Sequence, residues 1–356
     1  MGQVFTRARA ALRERAQSRS WRLWVDLNDA LFGDCTRLNN NAPNEGEVRR
    51  LLAAGADVNG TCDEDGWTLL HCAATGNCKD AAALLIVHGA NVNAVDQYDR
   101  TPLYTAIQYD AVDVAKLLLE AGANTEDGSK LLREAAQWDA KGVARLLMTA
   151  GVHTNALSSC GVSALRVAVC NSSVDVARFL IAAGADITNG DDVCGWTLLQ
   201  KAASRDYADM TKVLIAAGAN IGAVDREGAT ALHTAAQCKA WNVAKILVAA
   251  GADAGAVDNR GNTALHSAAK NNAWNVAGIL ILAGAGVKAR NESGETPLHV
   301  AARYNSKDVT GVLMLAGADN EAPDYRGRTA WSIAQRAGCD DDFFHPKHKS
   351  ELPVFL

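Results

Sequence analysis

No stretch of the 356 residues approaches the ~18 consecutive apolar residues a membrane-crossing helix needs, although 49% of the chain is hydrophobic. Much of that share is alanine, so the chain is expected to stay in water or to be held at a membrane face without spanning it. The nine cysteines (Cys35, Cys62, Cys72, Cys78, Cys160, Cys170, Cys194, Cys238 and Cys339) contain no Cys-x-x-Cys pair and follow no regular framework. That argues against a disulfide scaffold, and reduced thiols point to an intracellular, cytoplasmic protein. No glycine loop joins a strand to a helix as a phosphate cradle would, and there is no Gly-x-Ser-x-Gly elbow or kinase-like set of motifs. Cys339, His345 and His348 lack a fourth ligand and the paired spacing of zinc sites. No catalytic, cofactor-binding or metal-binding residue is assigned, and the chain is not expected to be an enzyme.

What the chain has in abundance is a period. A tetrapeptide slot begins at Thr68, Thr101, Lys130, Ser163, Thr197, Thr230, Thr263, Thr296 and Thr329, in steps of 33 or 34 residues with one step of 29. A second ladder keeps the same register: Gly55, Gly89, Gly122, Gly151, Gly184, Gly218, Gly251, Gly284 and Gly317. Within one unit, Asp258 to Ala285, apolar residues at Leu265, Ala268, Ala269, Val276, Ile279 and Leu280 recur at three-to-four spacing, which predicts two short helices. Thr263 is suited to cap the first helix, and Pro102 and Pro297 fill the next slot, where a missing N–H costs nothing.

Between the two helices the chain must reverse. The slot there reads Asn77, Asp110, Asp139, Ser172, Asp206, Lys239, Asn272 and Asn305, mostly residues that tolerate a left-handed backbone. The glycine after the second helix predicts a positive-φ C-cap. Asp-x-x-Gly stretches at Asp225, Asp258 and Asp324 are turn signals that predict hairpin-like fingers between units.

This combination resembles the ankyrin repeat over roughly residues 50 to 337, with TPLHVAA from Thr296 to Ala302 the segment most like the family pattern. The resemblance implies an all-α fold: an ankyrin-repeat solenoid of stacked helix-turn-helix units with protruding β-turn fingers. About nine repeats are recognisable, preceded by a divergent capping repeat from Leu27 to Asn59. No single unit can bury its own apolar face, so Leu70, Leu103, Leu132, Leu165, Leu199, Leu232, Leu265 and Leu298 should form a structural column, with Trp331 in its last place. The histidines His71, His233, His266 and His299 sit in the tetrapeptide slot, where the family uses the ring to hydrogen-bond neighbouring loops.

The ends differ from the middle, giving an organisation of a basic leader (1–26), the repeat solenoid (27–338) and a short tail (339–356). Residues 1–25 hold Arg7, Arg9, Arg13, Arg15, Arg19 and Arg22 against Glu14 alone, in a chain of net charge −5. Its opening Met-Gly-Gln-Val-Phe-Thr fits the pattern for N-myristoylation of Gly2. One acyl chain binds membranes only marginally, and the arginines could supply the second signal of a peripheral anchor. A transit peptide, or a solvated leader with no anchoring role, would have the same composition.

The resemblance further implies that partners bind at finger tips and at exposed positions of the first helix, on one concave face. In the earlier units those slots hold Trp67, Tyr98, Arg100, Tyr109, Trp138, Trp196 and Arg205. Aromatics there would act as anchors. Trp67 and Trp196 could equally cover a neighbouring finger. In the later units Arg226, Arg260, Lys270, Arg303, Arg326 and Arg328 face Glu227, Glu292 and Glu295, either a positive stripe or an ordinary solvated face. Trp241 and Trp274, 33 residues apart, should lie on the outer surface. The 29-residue step predicts a stunted third finger beside Tyr109 and Trp138. The expected function is a noncatalytic scaffold or adaptor, monomeric alone, that binds one or more proteins. A ligase substrate receptor, an inhibitor or a host-directed effector are the alternatives, and no nucleic acid is expected as partner.

Overall fold

A computed structural model describes residues 19–32, 44–61, 65–188, 195–339 and 341–344. Gly2, most of the basic leader, Cys35, Cys62, Cys194, His345 and His348 lie outside the described residues. The chain divides into two compact units, 1–171 and 172–356.

In the first unit the described helices are α1 (Arg19–Phe32), α2 (Glu45–Ala53), α3 (Leu69–Thr75), α4 (Lys79–Val87), α5 (Pro102–Gln108), α6 (Val112–Glu120), α7 (Gly128–Gln137), α8 (Lys141–Thr149) and α9 (Ala164–Asn171). The first helices of successive repeats pack side by side, α3 on α5, α5 on α7 and α7 on α9, while α4, α6 and α8 form a second row. The leucine column is buried here: Leu70, Leu103, Leu132 and Leu165 are each 1% exposed. Fully burying such a side chain contributes ~1.5 to 3 kcal/mol. Beside them Ala73, Ala74, Ala135 and Ala136 are fully buried, where a longer side chain would hold the helices apart.

α1 begins at Arg19, so the boundary drawn at residue 26 falls inside a helix. The reason is a second apolar face: Trp24, Leu27 and Leu31 fall on one side of α1 and are buried, and α1 packs on α2. The Trp24 indole N–H donates to the Gly60 carbonyl at 3.1 Å. Lys130 does not take over the missing threonine's role at the short step. Instead Asp127 caps α7 by accepting the Lys130 N–H at 3.0 Å, and the helix starts early, at the expense of the finger.

The second unit comprises α10 (Val174–Ala182), α11 (Leu198–Ala203), α12 (Ala208–Ala216), α13 (Ala231–Gln237), α14 (Trp241–Ala249), α15 (Ala264–Asn271), α16 (Trp274–Leu282), α17 (Pro297–Arg303), α18 (Lys307–Leu315), α19 (Ala330–Arg336) and a 3₁₀ turn (Asp341–Phe344). Leu199, Leu232, Leu265 and Leu298 are buried in one column between the successive first helices α11, α13, α15 and α17. Trp331 follows them on α19 but is only half-buried. Its ring lies 5.5 Å from Phe344, which packs edge-on against Phe343 at 4.9 Å. Both phenylalanines are buried, so this short turn covers the end of the apolar column. Trp241 is exposed on α14 and Trp274 half-buried on α16.

Turn chemistry follows the slots. All eight residues from Asn77 to Asn305 in the helix-reversal slot have positive φ, between 48° and 59°, including Ser172 and Lys239. Most of the Asn and Asp members do a second job. Asn77 accepts the Val114 N–H at 3.2 Å, Asp110 that of Val143 at 2.9 Å, Asp206 that of Val243 at 2.9 Å and Asn272 that of Val309 at 3.1 Å. Each acceptor thereby satisfies an orphan amide in the first turn of the next repeat's second helix, whose own N-cap residue makes no side-chain capping bond.

Candidate protein-interaction surface

Fingers are built by the Asp-x-x-Gly turns. In the second unit Asp225, Asp258 and Asp324 each fold back on their own loop, accepting N–H bonds from residues two and four positions on. Antiparallel bridges pair Val224 with Thr230, Val257 with Thr263 and Pro323 with Thr329, and adjacent fingers are tied by Asn259 N–H to the Glu227 carbonyl and Glu292 N–H to the Arg260 carbonyl. The second finger of the first unit departs from the pattern, because Asp99, with φ of 57°, stands where the others have glycine.

In four repeats a histidine locks the finger to the first helix. The Thr263 N–H donates to His266 Nδ1 at 3.1 Å, and His266 Nε2 lies 3.0 Å from the Glu295 carbonyl of the following repeat. A carbonyl only accepts, so the proton sits on Nε2 and the ring is neutral. His233 and His299 repeat this geometry with the carbonyls of Asn262 and Arg328, and His71 with that of Arg100. Burial pushes the His266 pKa down to about 4, and burial likewise lowers those of His233 and His299. Gln200 makes equivalent contacts without an ionisable group: it accepts the Thr197 N–H at 2.8 Å and donates to the Ala229 carbonyl at 2.8 Å.

In the first unit the structure brings Trp67, Tyr98 and Arg100 together. The Arg100 guanidinium lies 5.6 Å from the Trp67 ring centroid and 4.7 Å from that of Tyr98, and pairs with Asp96 at 2.7 Å. Backbone bonds within the finger and the Arg100 partner hold the Asp96 carboxyl below the usual carboxylate range, against the opposing effect of burial. Trp67 is half-buried, 5.8 Å from the His71 ring, whereas Tyr98 stays exposed at the tip. Trp67 and Arg100 thus brace adjoining fingers.

Tyr109 and Trp138 are the C-caps of the packed helices α5 and α7, 36% and 44% exposed. Beneath them lies Tyr104, in the slot where other repeats carry histidine. Its usual partner carbonyl is missing, because the equivalent residue, Ser129, already belongs to α7. The Tyr104 hydroxyl instead lies in the neighbourhood of the Glu134 carboxylate and the Trp138 side chain. Burial, then the Glu134 charge, raise the Tyr104 pKa.

In the second unit Trp196 is half-buried with Lys201 Nζ 4.7 Å from its ring, and Arg205 is exposed and reaches the Tyr207 hydroxyl at 3.4 Å. Arg226, Arg260 and Arg326 are exposed at finger tips. Arg303 and Arg328 both turn inward to Glu295, whose side chain is 5% exposed. Of the arginines singled out in these repeats, Arg226, Arg260 and Arg326 are thus exposed at the tips, while Arg303 and Arg328 are paired with Glu295. Two aromatics escaped the sequence reading: Tyr304, 50% exposed in the same slot as Tyr109 and Trp138, and Tyr325, 72% exposed inside a finger. The slot rule that selected Tyr109 would have selected both.

Among the described residues no helix is long and apolar enough to cross a membrane, and no group of three or more His, Cys, Asp or Glu side chains is placed to hold a metal ion. Cys339 Sγ contacts the Ala302 carbonyl at 3.7 Å.

Comparison with known proteins gives the same architecture. A family model described as ankyrin repeats (3 copies) matches residues 39–129, 188–258 and 239–324, and a single ankyrin-repeat model matches 160–192. The neurogenic locus notch homolog protein 1 of Homo sapiens is 35% identical over 144 residues, covering 39% of this chain and 6% of that protein. The Neurogenic locus Notch protein of Drosophila melanogaster is 39% identical over 103 residues, 28% of this chain and 4% of that one. The chain thus spans only a small fraction of the length of these relatives. Ankyrin repeats are generally noncatalytic modules that bind other proteins, and the models together match well over half of this sequence: the chain belongs to the ankyrin-repeat family.

Proposed function

We propose that the protein is a noncatalytic scaffold or adaptor that binds one or more protein partners through its finger tips and the exposed ends of its first helices. The observation that carries this reading is the pair Tyr109 and Trp138: two large rings left exposed at one position of adjoining helices, in a protein that buries its aliphatic column almost completely. Rigid aromatic side chains lose little entropy on binding, and a preorganised array presents them without an ordering cost. Tyr98 extends this surface within its unit, and in the other unit Trp196, Arg205, Arg226, Arg260 and Arg326 form a candidate surface of their own. Trp67, Arg100 and Arg303 contribute chiefly by holding it in shape. Acylation of Gly2 with the adjacent arginines would place this surface at a membrane face. Metabolic labelling with a myristate analogue, comparing Gly2→Ala, tests that part.

Crosslinking mass spectrometry of the wild-type chain against the Tyr109→Ala, Trp138→Ala double variant tests the central reading. Loss of one or more crosslinked partners with the fold intact is expected. Retention of every partner would refute the role of this pair.

A further inference from the structure

The Tyr109–Trp138 surface has a buried negative charge behind it. Glu134 sits one turn before Trp138 on α7, and its Oε2 is buried with no hydrogen-bond partner. A buried carboxylate oxygen without a partner is costly, and native structures keep such groups rare. Two cations on neighbouring positions are occupied elsewhere. Arg100 pairs with Asp96, and Arg133 donates to the Ser129 hydroxyl at 3.0 Å. The group the Glu134 charge acts on is a neutral hydroxyl, that of Tyr104. The Glu134 carboxylate therefore lies one helix turn from the exposed Trp138 ring with one oxygen buried and unpaired.

An aromatic face attracts a cation through its quadrupole, and a nearby anion shielded from water adds to that attraction. The short third repeat removes the finger that would otherwise stand over this position. We infer that the Tyr104–Tyr109–Glu134–Trp138 cluster is a subsite for the cationic side chain, arginine or lysine, of a protein partner, stacked on the Trp138 and Tyr109 rings with the Glu134 carboxylate behind them. The inference rests on the proposed interaction role and specifies the partner's chemistry: a segment with a basic residue as its anchor.

A random-peptide phage library selected on the full chain provides the probe. Selected peptides are expected to be enriched in arginine or lysine at one position, and replacing that residue by neutral citrulline or glutamine should weaken binding about tenfold. The isosteric Glu134→Gln variant should weaken the parent peptide by a similar factor and remove most of the citrulline effect. Trp138→Phe, which keeps a ring, should bind better than Trp138→Ala. Peptides that depend on Tyr109 and Trp138 but show no basic residue, or that bind Glu134→Gln unchanged, would overturn the cation subsite and leave the interaction surface standing. A selection yielding no peptide sensitive to the Tyr109→Ala, Trp138→Ala double variant would count against both.

Discussion

The Asp206 carboxylate accepts the backbone N–H of Val243 at 2.9 Å across 37 residues, so a turn residue of one repeat caps a helix of the next. Asp206 also donates its left-handed backbone, with φ of 55°, to the turn itself, and its second oxygen accepts from the Asn242 amide at 2.8 Å. Two substitutions separate these roles. Asp206→Gly keeps the backbone conformation and loses the cap, and it should cost ~1 kcal/mol, the usual worth of a capping side chain. Asp206→Ala loses both and should cost ~2 kcal/mol. Urea unfolding of the two variants checks the order: equal losses would mean that the left-handed backbone adds nothing beyond the cap, and no loss in Asp206→Gly would mean that the cap contributes nothing.

Stability should fall on mild acidification because of the finger-locking histidines. His266 holds its neutral form down to about pH 4 in the folded state, while an unfolded histidine titrates near ~6.5. The unfolded chain therefore binds more protons between those values, and the histidine's contribution is complete above pH ~6.5 and drains away as pH falls toward 4. His233 and His299 act in the same direction. For His266 the loss over this window is on the order of 3 kcal/mol. His266→Gln should keep the two bonds, as Gln200 does at its own repeat, and flatten the pH dependence. Denaturation midpoints between pH 7 and pH 4 give the test, and an unchanged slope in His266→Gln would contradict it.

Much of this was legible in the sequence, and the boundary of legibility is physical. The 33-residue period fixed which residues stack, because burial of Leu265 or Ala268 selects the same residue type in every copy. The reversal slot was readable as a backbone requirement, yet the bond from Asp206 to Val243 was not, since it depends on which helix end the next repeat places above it. Trp67 and Trp138 illustrate the same divide. Both are tryptophans in exposed-looking slots, but only coordinates show that one braces a finger against Arg100 while the other stays accessible. Tyr104 and Glu134 were invisible for a related reason: their meeting follows from the early start of α7 at Gly128, which a missing threonine alone does not specify.

Glu295 is a hub whose removal should release charge as well as stability. It accepts from Arg303 and Arg328, and its backbone carbonyl receives His266. Removing one partner of a buried ion pair typically costs 3–5 kcal/mol, roughly, when the other charge is trapped. Here the arginine side chains are 40% and 27% exposed and can turn back to water, so Glu295→Gln should cost less, about 1–2 kcal/mol. The freed Arg303 guanidinium should then strengthen binding of an acidic peptide to the second unit, while Arg328 stays paired with Asp324 at 2.7 Å. Thermal unfolding and a titration with an oligo-glutamate peptide measure the two effects, and a stability loss with no change in affinity would confine Glu295 to a structural role.

Two glycines with the same backbone sign should respond differently to a side chain. Gly251 ends α14 with φ of 89°, and a Cβ placed there meets nothing within 4 Å. Gly251→Val should therefore cost only backbone strain, about 1–2 kcal/mol. Gly294, with φ of 74°, lies in a finger where a Cβ would come within 2.6 Å of the Tyr325 ring and 2.8 Å of the Tyr325 backbone nitrogen. The ring could swing away, but the backbone nitrogen accompanies the bond from Tyr325 N–H to the Ser293 carbonyl that ties the two fingers. Even the smaller change Gly294→Ala should then be the more damaging, adding loss of the finger contact to the strain. Hydrogen exchange at the Tyr325 amide reads that contact directly: it should accelerate in Gly294→Ala and stay protected in Gly251→Val, and the opposite pattern would show that the fingers are not coupled through this glycine.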